Sequence, residues 1–352
     1  MATAPVARKE YERIALAEHL VSEVADRQFT VSTVETKDIG EDEVFIRVDF
    51  VQVVPAFTDL MRADAQIPLP PYQLGDTVGG AVVGTVLESR SADFVEGDLV
   101  FAFTGWSEYQ VAKPEELTKL DRNVVPSPAY YLNQGVTAYY GMADVAKAGP
   151  GDVVYVSGAA GGVGSLAGQI AKIRGAANVI GSAGTDEKVR YLVEELHFDG
   201  AFNYKTGDLV ENINALAPDG IDVFFDNVGG DQFEAAIRAA KPNARFALCG
   251  ALSSQVSKDA DAWPRLNLMT AITKNLSIFP FATLHTPEQI QNWATHFGMW
   301  LSEGKLVFPH TSLKGPITDA PTALKDLICG KYRGNVALEV EHSSSTTTEA
   351  LT

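Results

Sequence analysis

The sequence has 352 residues, of which 46% are hydrophobic, and a chain of this length and composition predicts two soluble globular domains. Its 28 basic and 45 acidic residues give a formal net charge of −17, which disfavours nucleic acids and anionic membrane surfaces as partners. The 2 cysteines are too few for a disulfide framework or a four-cysteine zinc lobe, so we expect a reducing, cytoplasmic environment.

The two ends of the chain carry no pattern typical of a targeting segment. Charged residues interrupt the first 20 residues, and no apolar stretch reaches the roughly 20 residues that a membrane span requires. We therefore expect neither a signal peptide nor a transmembrane helix. The tail at 343–352 is polar and of low complexity, which predicts a disordered segment.

The first third of the chain is predicted to be rich in β-strands. Short runs of alternating or β-branched residues, bounded by glycine, aspartate or proline, are typical of a barrel or a sandwich. Such runs lie at 43–54, 79–89, 97–103 and 106–112.

From about Tyr130 the pattern changes to apolar strands that alternate with helix-length segments. This alternation predicts an α/β fold with a doubly wound parallel sheet. The predicted strands lie at 152–157, 178–183, 200–204, 221–228 and 244–250, and the predicted helices at 163–174, 185–197 and 231–241.

The last part of the chain defines the expected domain order. A helix is predicted at 286–304, with Thr286 as N-cap and Pro287 at its first position. The segment 331–340 then returns to strand character, which indicates that the chain ends in the first domain. We therefore expect a wound domain at 130–303, inserted between the two parts of a barrel domain at 1–129 and 304–342.

The stretch "GAAGGVGS" at 158–165 lies between the first strand of the wound domain and the helix after it. On the dinucleotide fingerprint, Ala159 permits the sharp turn, Gly161 the approach of a pyrophosphate, and Gly164 close packing of the helix on the strand. The N–H groups at the helix start provide an anion site, although a packing turn without a ligand is the alternative. The predicted cofactor residues here are Ala159, Gly161, Gly162, Val163 and Gly164.

The end of the second strand indicates which dinucleotide would bind. NAD-binding proteins usually have an acidic residue about 20 residues beyond the glycines, where it holds the ribose 2′-OH. Here "NVIGSAGTDEK" has Ser182 and Gly184 in that place, which leaves room for a 2′-phosphate. Lys188 and Tyr204 are the candidates to bind this phosphate. A solvated lysine and a half-buried strand aromatic are the alternatives for the two residues.

Six segments together resemble one family: "GVTAYYG", "VSGAAGGVGSLAGQIAKIRGA", "GTDEKVRYL", "FDGAFNYKT", "IDVFFDNVGG" and "ARFALCGALS". They are similar to the medium-chain dehydrogenase/reductase superfamily, and more narrowly to its zinc-free branch of prostaglandin, leukotriene, curcumin and alkenal double-bond reductases. The resemblance implies a GroES-like barrel built from both chain ends and a Rossmann domain. It also implies NADPH as cofactor and a homodimer formed through the edge of the Rossmann sheet.

The residues that bind zinc in metal-dependent relatives are replaced in this chain. Ala56 stands where those relatives have a cysteine, and Asp76 and Thr77 stand where they have histidine and glutamate. Catalytic zinc needs three protein ligands, so no metal is expected. The 6 histidines do not have the spacing of metal ligands, and none has an obvious serine or cysteine partner, so a nucleophilic triad is not expected.

The resemblance also implies substrate and cofactor residues. Trp106, in "FTGWSEYQV", matches an aromatic that lines the substrate cleft, with a barrel-rim tryptophan as the alternative. No tyrosine falls in "VVPAFTDLMRAD", where the branch carries its proposed proton donor, so Tyr72 is the nearest candidate for catalysis. The other implied residues are Phe57, Gln255 and Phe281 for the substrate, and Thr137, Asn227, Cys249, Gly250, Tyr332 and Asn335 for the cofactor.

Without a metal, hydride from NADPH needs an acceptor that is already polarised, such as the β-carbon of an α,β-unsaturated ketone or aldehyde. We therefore expect an NADPH-dependent reductase of activated C=C bonds. A quinone reductase of the same superfamily is the alternative, because it needs no proton donor at an α-carbon and the tyrosine near residue 57 is missing. A non-catalytic NADPH-binding protein is the third hypothesis.

Overall fold

The chain divides into two compact units. The computed structural model describes residues 10–36, 38–67, 69–255, 264–282 and 284–342, without the side chains of 254 and 255. The first unit comprises the described residues up to Leu132, Ser312–Cys329 and the residues from Val336, and the second comprises Asn133–Thr311 and Gly330–Asn335. The domain boundaries that the sequence predicts, at 129/130 and 303/304, stay a prediction. The predicted disordered tail lies outside the described residues.

The first unit is built on a seven-stranded sheet with a separate two-stranded sheet. In the larger sheet the spatial order is β14, β15, β3, β4, β5, β7, with β6 also paired to β3, and the two-stranded sheet joins β1 to β2. The strands are β1 (Glu10–Leu16), β2 (Phe29–Glu35), β3 (Val44–Val53), β4 (Val82–Ser89), β5 (Leu99–Ala102), β6 (Tyr109–Ala112), β7 (Leu117–Leu120), β14 (His310–Gly315) and β15 (Asn335–Val340).

The central strand β3 explains how this sheet holds together. It pairs antiparallel with β4, β6 and β15, and Val44, Val48 and Val51 on it are fully buried. Because β15 comes from the far end of the chain, the two ends of the sequence share one sheet. Helix α9 (Ala320–Ile328) and short 3-10 helices complete the unit, at Asp26–Gln28, Pro55–Met61, Pro114–Glu116, Pro128–Tyr131 and Ile317–Asp319.

The second unit is built on a six-stranded parallel sheet with the spatial order β10, β9, β8, β11, β12, β13. Taken from the first strand of this sheet, the order is 3-2-1-4-5-6, the doubly wound arrangement that binds ligands where the order reverses, between β8 and β11. The strands are β8 (Val153–Val156), β9 (Asn178–Ala183), β10 (Gly200–Asn203), β11 (Ile221–Asp226), β12 (Ala240–Leu248) and β13 (Ser277–Pro280).

The helices of the second unit are those that the sequence predicts, with additions. The predicted N-cap of α8 is confirmed, because the Thr286 side chain accepts a hydrogen bond from the Gln289 N–H at 3.3 Å. The helices are α1 (Gly135–Tyr139), continued by a π-helical turn at Tyr140–Val145, α2 (Gly162–Ile173), α3 (Asp186–Glu194), α4 (Leu209–Leu216), α5 (Gly230–Ala239), α6 (Leu252–Gln255), α7 (Leu268–Thr273) and α8 (Pro287–Ser302).

Together the two units confirm the predicted fold class, an α/β wound sheet plus a barrel-like unit from both chain ends. The core of the wound sheet is aromatic: the Tyr155 ring stacks on Phe224 with centroids 5.0 Å apart. Across the described part of the chain, every helix is too short or too polar to cross a membrane.

Candidate active site

The glycine-rich turn joins β8 to α2 at the carboxyl edge of the parallel sheet. Gly158 has a φ of +58°, in the left-handed region that favours glycine. A Cβ on Gly164 would lie 2.5 Å from the Gly158 oxygen, so glycine allows α2 to pack closely against the end of the strand. The nearest described atom to a Cβ on exposed Gly161 would be that same oxygen, at 3.4 Å. The turn is therefore open at Gly161, beside the first N–H groups of α2, which have no intrahelical acceptor.

The inner side of the turn is covered by Asn335. This residue is buried, its Oδ1 accepts the Gln134 N–H at 2.9 Å, and its Nδ2 donates to the Pro309 oxygen at 3.2 Å. A Cβ on Gly162 would lie 2.2 Å from Gln134 Nε2 and 3.1 Å from Asn335 Oδ1. Asn335 therefore fixes the turn from within the protein, while its predicted contact with a cofactor stays a prediction.

Ser182 lies at the end of β9, as predicted, but its hydroxyl points into the sheet. The side chain is fully buried and hydrogen-bonds to Gln232 Oε1. The Tyr155 hydroxyl reaches both groups, at 3.1 Å from Ser182 Oγ and 3.0 Å from Gln232 Oε1. The Ser182 backbone oxygen accepts the Ala159 N–H at 2.9 Å, so this residue supports the turn through its main chain.

Gly184 and Tyr204 lie together beyond the ends of β9 and β10, and Lys188 lies on α3, which follows β9. A Cβ on Gly184 would lie 3.3 Å from Tyr204 Oη, and Tyr204 is 37% exposed. Lys188 Nζ donates to the Gly330 oxygen at 2.8 Å, and burial lowers the pKa of this lysine. Gly184 and Tyr204 are thus neighbours, and the charge of Lys205, next to Tyr204, also lowers the pKa of Lys188. Their binding of a 2′-phosphate stays a prediction.

The loop after β11 is organised by a buried carboxylate. Asp226 accepts the Ser157 hydroxyl at 2.7 Å, and burial raises the pKa of this carboxyl. The Asn227 amide donates to the Ser157 oxygen at 2.7 Å, and the N–H groups of Cys249 and Gly250 donate to the Asp226 backbone oxygen at 2.8 and 3.0 Å. Burial raises the pKa of the Cys249 thiol to about 12, so the thiol is protonated at neutral pH and is a poor nucleophile.

Two further predicted residues lie on α1 and after β13. The Thr137 hydroxyl is 2.9 Å from His285 Nε2, and burial lowers the pKa of that histidine. The Phe281 ring packs edge-on against Tyr140 with centroids 5.6 Å apart. Phe281 and Tyr140 line a cavity of 620 Å³ that also includes Arg245.

In the first unit, Tyr72, Phe57 and Trp106 line one small cavity of about 10 Å³. The Tyr72 hydroxyl donates to the Gly79 oxygen, and burial raises the pKa of Tyr72 to about 12. Trp106 is 3% exposed, and its Nε1–H donates to the Gln52 oxygen at 3.0 Å. The sequence therefore selected three residues that share one apolar pocket, although Trp106 is a core residue of the barrel.

Glycines make room for these aromatics, and one aromatic neighbour was missed. A Cβ on Gly79 would lie 2.5 Å from Trp106 Cδ1, and one on Gly80 would lie 2.3 Å from Phe57 Cε2. Phe103 packs edge-on against Phe57 with centroids 5.5 Å apart and is 62% exposed. The alternation in "VFAFTGW" could have identified Phe103 as a further candidate for substrate contact.

For two other predicted site residues, Tyr332 and Gln255, the structure gives little or no information on side-chain contacts. Tyr332 is half-buried in the second unit, and the side chain of Gln255 lies outside the described residues. In the described ranges, no group of three or more histidine, cysteine, aspartate or glutamate side chains is arranged to hold a metal ion.

Comparison with known proteins gives the following similarities. Residues 162–298 match the family described as "Zinc-binding dehydrogenase", and residues 12–120 match "N-terminal domain of oxidoreductase". The putative NADP-dependent oxidoreductase YfmJ of Bacillus subtilis is 34% identical over 339 residues, which is 95% of this chain and 98% of that protein. The NADP(+)-dependent 2-alkenal reductase of Nicotiana tabacum is 34% identical over 307 residues, 86% of this chain and 88% of that protein. The structure of CurA from Vibrio vulnificus in complex with NADPH superposes with a TM-score of 0.86 at 29% identity, covering 94% of this chain and 99% of that one.

Proposed function

Because the chain belongs to the zinc-free branch of the medium-chain dehydrogenase/reductase superfamily, we propose that it is an NADPH-dependent reductase of activated C=C bonds in α,β-unsaturated ketones or aldehydes. The observation that carries the proposal is the turn that is open at Gly161, beside the first N–H groups of α2 and at the reversal point of the sheet. The similarity to a 2-alkenal reductase supports the class of acceptor.

The cofactor is NADPH. When bound, it supplies a hydride from its nicotinamide ring. The first N–H groups of α2 would hold the pyrophosphate, and Lys188 and Tyr204 would hold the 2′-phosphate. Asn227 and Thr137 would contact the nicotinamide end. The turn accepts such a ligand because a Cβ is absent at Gly161, on its open side.

We assign Tyr72 to the carbonyl oxygen of the substrate. With a pKa of about 12, its phenol stays protonated at neutral pH. A neutral phenol can donate a hydrogen bond to the oxygen that gains negative charge as the β-carbon accepts a hydride, but it does not readily give up its proton. Tyr72 therefore stabilises the enolate oxygen, and solvent supplies the proton that the α-carbon accepts. Phe57 and Trp106 form the apolar wall beside it.

Quinone reduction is the second candidate function, and one contact favours it. The single proton of the Tyr72 hydroxyl is already donated to the Gly79 oxygen. When a quinone accepts a hydride, it forms a phenolate whose charge spreads over an aromatic ring and whose oxygen takes a proton from solvent. Quinone reduction therefore depends less than enone reduction on a hydrogen bond from Tyr72 to the substrate oxygen.

The test follows NADPH absorbance with a panel of enones, enals and quinones and identifies the products. Turnover of enones or enals to saturated products supports the proposal, whereas turnover of quinones alone supports the second candidate. Binding of NADPH without turnover of any acceptor would identify a non-catalytic nucleotide-binding protein. Tyr72→Phe should lower kcat for enones but leave the affinity for NADPH unchanged.

A homodimer completes the proposal. β13 is the edge strand of the parallel sheet, and Phe279 on it is 42% exposed. Leu268, Met269 and Ile272 on α7 are 64%, 66% and 67% exposed, respectively. Exposed apolar side chains and a sheet edge are each typical of an interface, and we propose that a second copy of the chain covers both in the cytoplasm.

A further inference from the structure

A second lysine, Lys205, lies beside the residues assigned to the 2′-phosphate, and the proposed function does not use it. A Cβ on Gly184 would lie 3.3 Å from Tyr204 Oη and 3.5 Å from Lys205 Cε. Lys205 Nζ is 5.8 Å from the centroid of the Tyr204 ring, and both side chains are exposed. A phenol and an ammonium group thus extend over the same glycine at the end of β9.

The turn that carries Lys205 is fixed to the neighbouring elements. The Lys205 N–H donates to Asn203 Oδ1 at 3.1 Å, and Asn203 Nδ2 donates to Asp186 Oδ1 in the first turn of α3 at 2.8 Å. The Tyr204 N–H donates to the Ala183 oxygen at 3.1 Å. The backbone under Lys205 is therefore held, while its long side chain can still adjust.

The charges around this cluster favour an anion. Although the chain has a net charge of −17, within its described part neither Lys188 nor Lys205 forms an ion pair with a carboxylate. Burial lowers the pKa of Lys188, and the positive charge of Lys205 lowers it further, whereas the negative charge of Glu187 raises it. Asp186 is already bound to the Asn203 amide. Two cations that repel each other would be stabilised by a dianion between them.

We propose that Lys205 is a specificity-determining residue for NADPH, binding the 2′-phosphate together with Lys188 and Tyr204. The inference rests on the proposed function, which it deepens. Lys188 Nζ is already hydrogen-bonded to the Gly330 oxygen, whereas the only described contact of the Lys205 ammonium is the Tyr204 ring. Lys205 can therefore turn towards a phosphate monoester without losing a hydrogen bond.

The test measures dissociation constants of 2′,5′-ADP and of 5′-ADP by isothermal titration calorimetry on the full chain. Lys205→Met keeps the apolar stem over Gly184 and removes the charge. It should weaken binding of 2′,5′-ADP about tenfold and leave 5′-ADP unchanged, because a charged hydrogen bond to phosphate contributes on this scale. Lys205→Arg should restore the preference. Raising the salt concentration should narrow the difference between wild type and Lys205→Met.

Lys305→Met is the matched control, since Lys305 is an exposed lysine paired with Glu303 at 2.8 Å in the same unit. It should change neither constant. If the wild type binds both nucleotides equally, the assignment of NADPH itself fails. If the wild type prefers 2′,5′-ADP and Lys205→Met keeps that preference, only the role of Lys205 is overturned. An equal loss for both nucleotides in Lys205→Met would also overturn it, because the loss would not depend on the 2′-phosphate.

Discussion

At the scale of single residues, an added methyl group should affect different properties at two glycines of the same turn: the stability of the protein at one, and the binding of NADPH at the other. A Cβ at Gly164 would lie 2.5 Å from the Gly158 oxygen, so Gly164→Ala should destabilise the protein by about 1–3 kcal/mol. At Gly161 the nearest described contact of a Cβ would be 3.4 Å, so Gly161→Ala should leave stability nearly unchanged but weaken NADPH binding. Urea unfolding and titration of NADPH fluorescence separate the two effects. Equal loss of stability in both variants would contradict the geometry.

His342 should make stability depend on pH. Its Nε2 lies 2.9 Å from the Val48 oxygen. Burial lowers the pKa of His342, and the charge of Arg47 lowers it further. The hydrogen bond to Val48 and the charges of Glu108 and Asp49 raise this pKa, but burial is the largest effect. The unfolded chain therefore binds a proton at higher pH than the folded chain. This contribution to stability is complete above the unfolded pKa of about 6.5 and falls as the pH drops below it, by at most about 1.4 kcal/mol per pH unit.

Urea unfolding between pH 5 and pH 8 checks this prediction, with His342→Gln as the comparison. The variant should lose part of the pH dependence below about pH 6.5, the range in which an unperturbed histidine titrates. If wild type and variant show the same slope there, His342 is not the group responsible.

The sequence predicts the glycine turn, which depends on the backbone, better than it predicts the direction of a side chain. The spacing of Gly161 and Gly164 predicts the turn because only small residues fit it. Ser182 has the predicted position on β9, but strand alternation points its hydroxyl to Tyr155 and Gln232. The position of Lys205 over Gly184 was not predicted, because it depends on how β10 ends beside β9, which no local pattern encodes.

At the scale of elements, the N-cap of α8 should account for about 1 kcal/mol of stability. The Thr286 hydroxyl accepts the Gln289 N–H, and the Gln289 side chain accepts the Thr286 N–H at 2.9 Å, which completes a capping box. Thr286→Ala removes one half of this exchange and should cost about 1 kcal/mol, whereas Thr286→Ser should cost much less. Urea unfolding followed by tryptophan fluorescence measures the loss, because two of the 4 tryptophans, Trp293 and Trp300, lie on α8. If Thr286→Ala and Thr286→Ser unfold at the same urea concentration, the hydrogen bond of the Thr286 hydroxyl does not stabilise the protein.

Elements with strong local signals were predicted, whereas two strands with weak local patterns were not. The strand predicted at 178–183 has the observed bounds of β9, and α8 begins after its predicted cap. β1 and β2 were missed, since β2 alternates largely between half-buried and exposed residues and gains its partner only through β1. β12 begins at Ala240, four residues before the predicted strand, where Ala240 pairs with Ile221 and the register then shifts.

At the scale of the whole molecule, the alternation of strands and helices was enough to predict the wound sheet, because right-handed crossovers leave few arrangements for such a chain. The return of the last strand to the barrel sheet was also predictable, from the distance of 331–340 from the other β-rich segments. The sequence pattern does not show which strand lies at the edge of the parallel sheet, where the dimer interface is proposed. The structure identifies β13 as this edge strand.

We expect wild-type protein to be a dimer and Ile272→Glu to be a monomer of 37.8 kDa. Ile272 is 67% exposed on α7, beside Leu268 and Met269, and a carboxylate buried there without a partner would oppose association. Size-exclusion chromatography with light scattering measures both masses. Val95→Glu is the control, because Val95 is 61% exposed in the first unit, away from this surface in sequence, and should leave the dimer intact. A dimer that persists in Ile272→Glu would assign the interface to another surface of the chain.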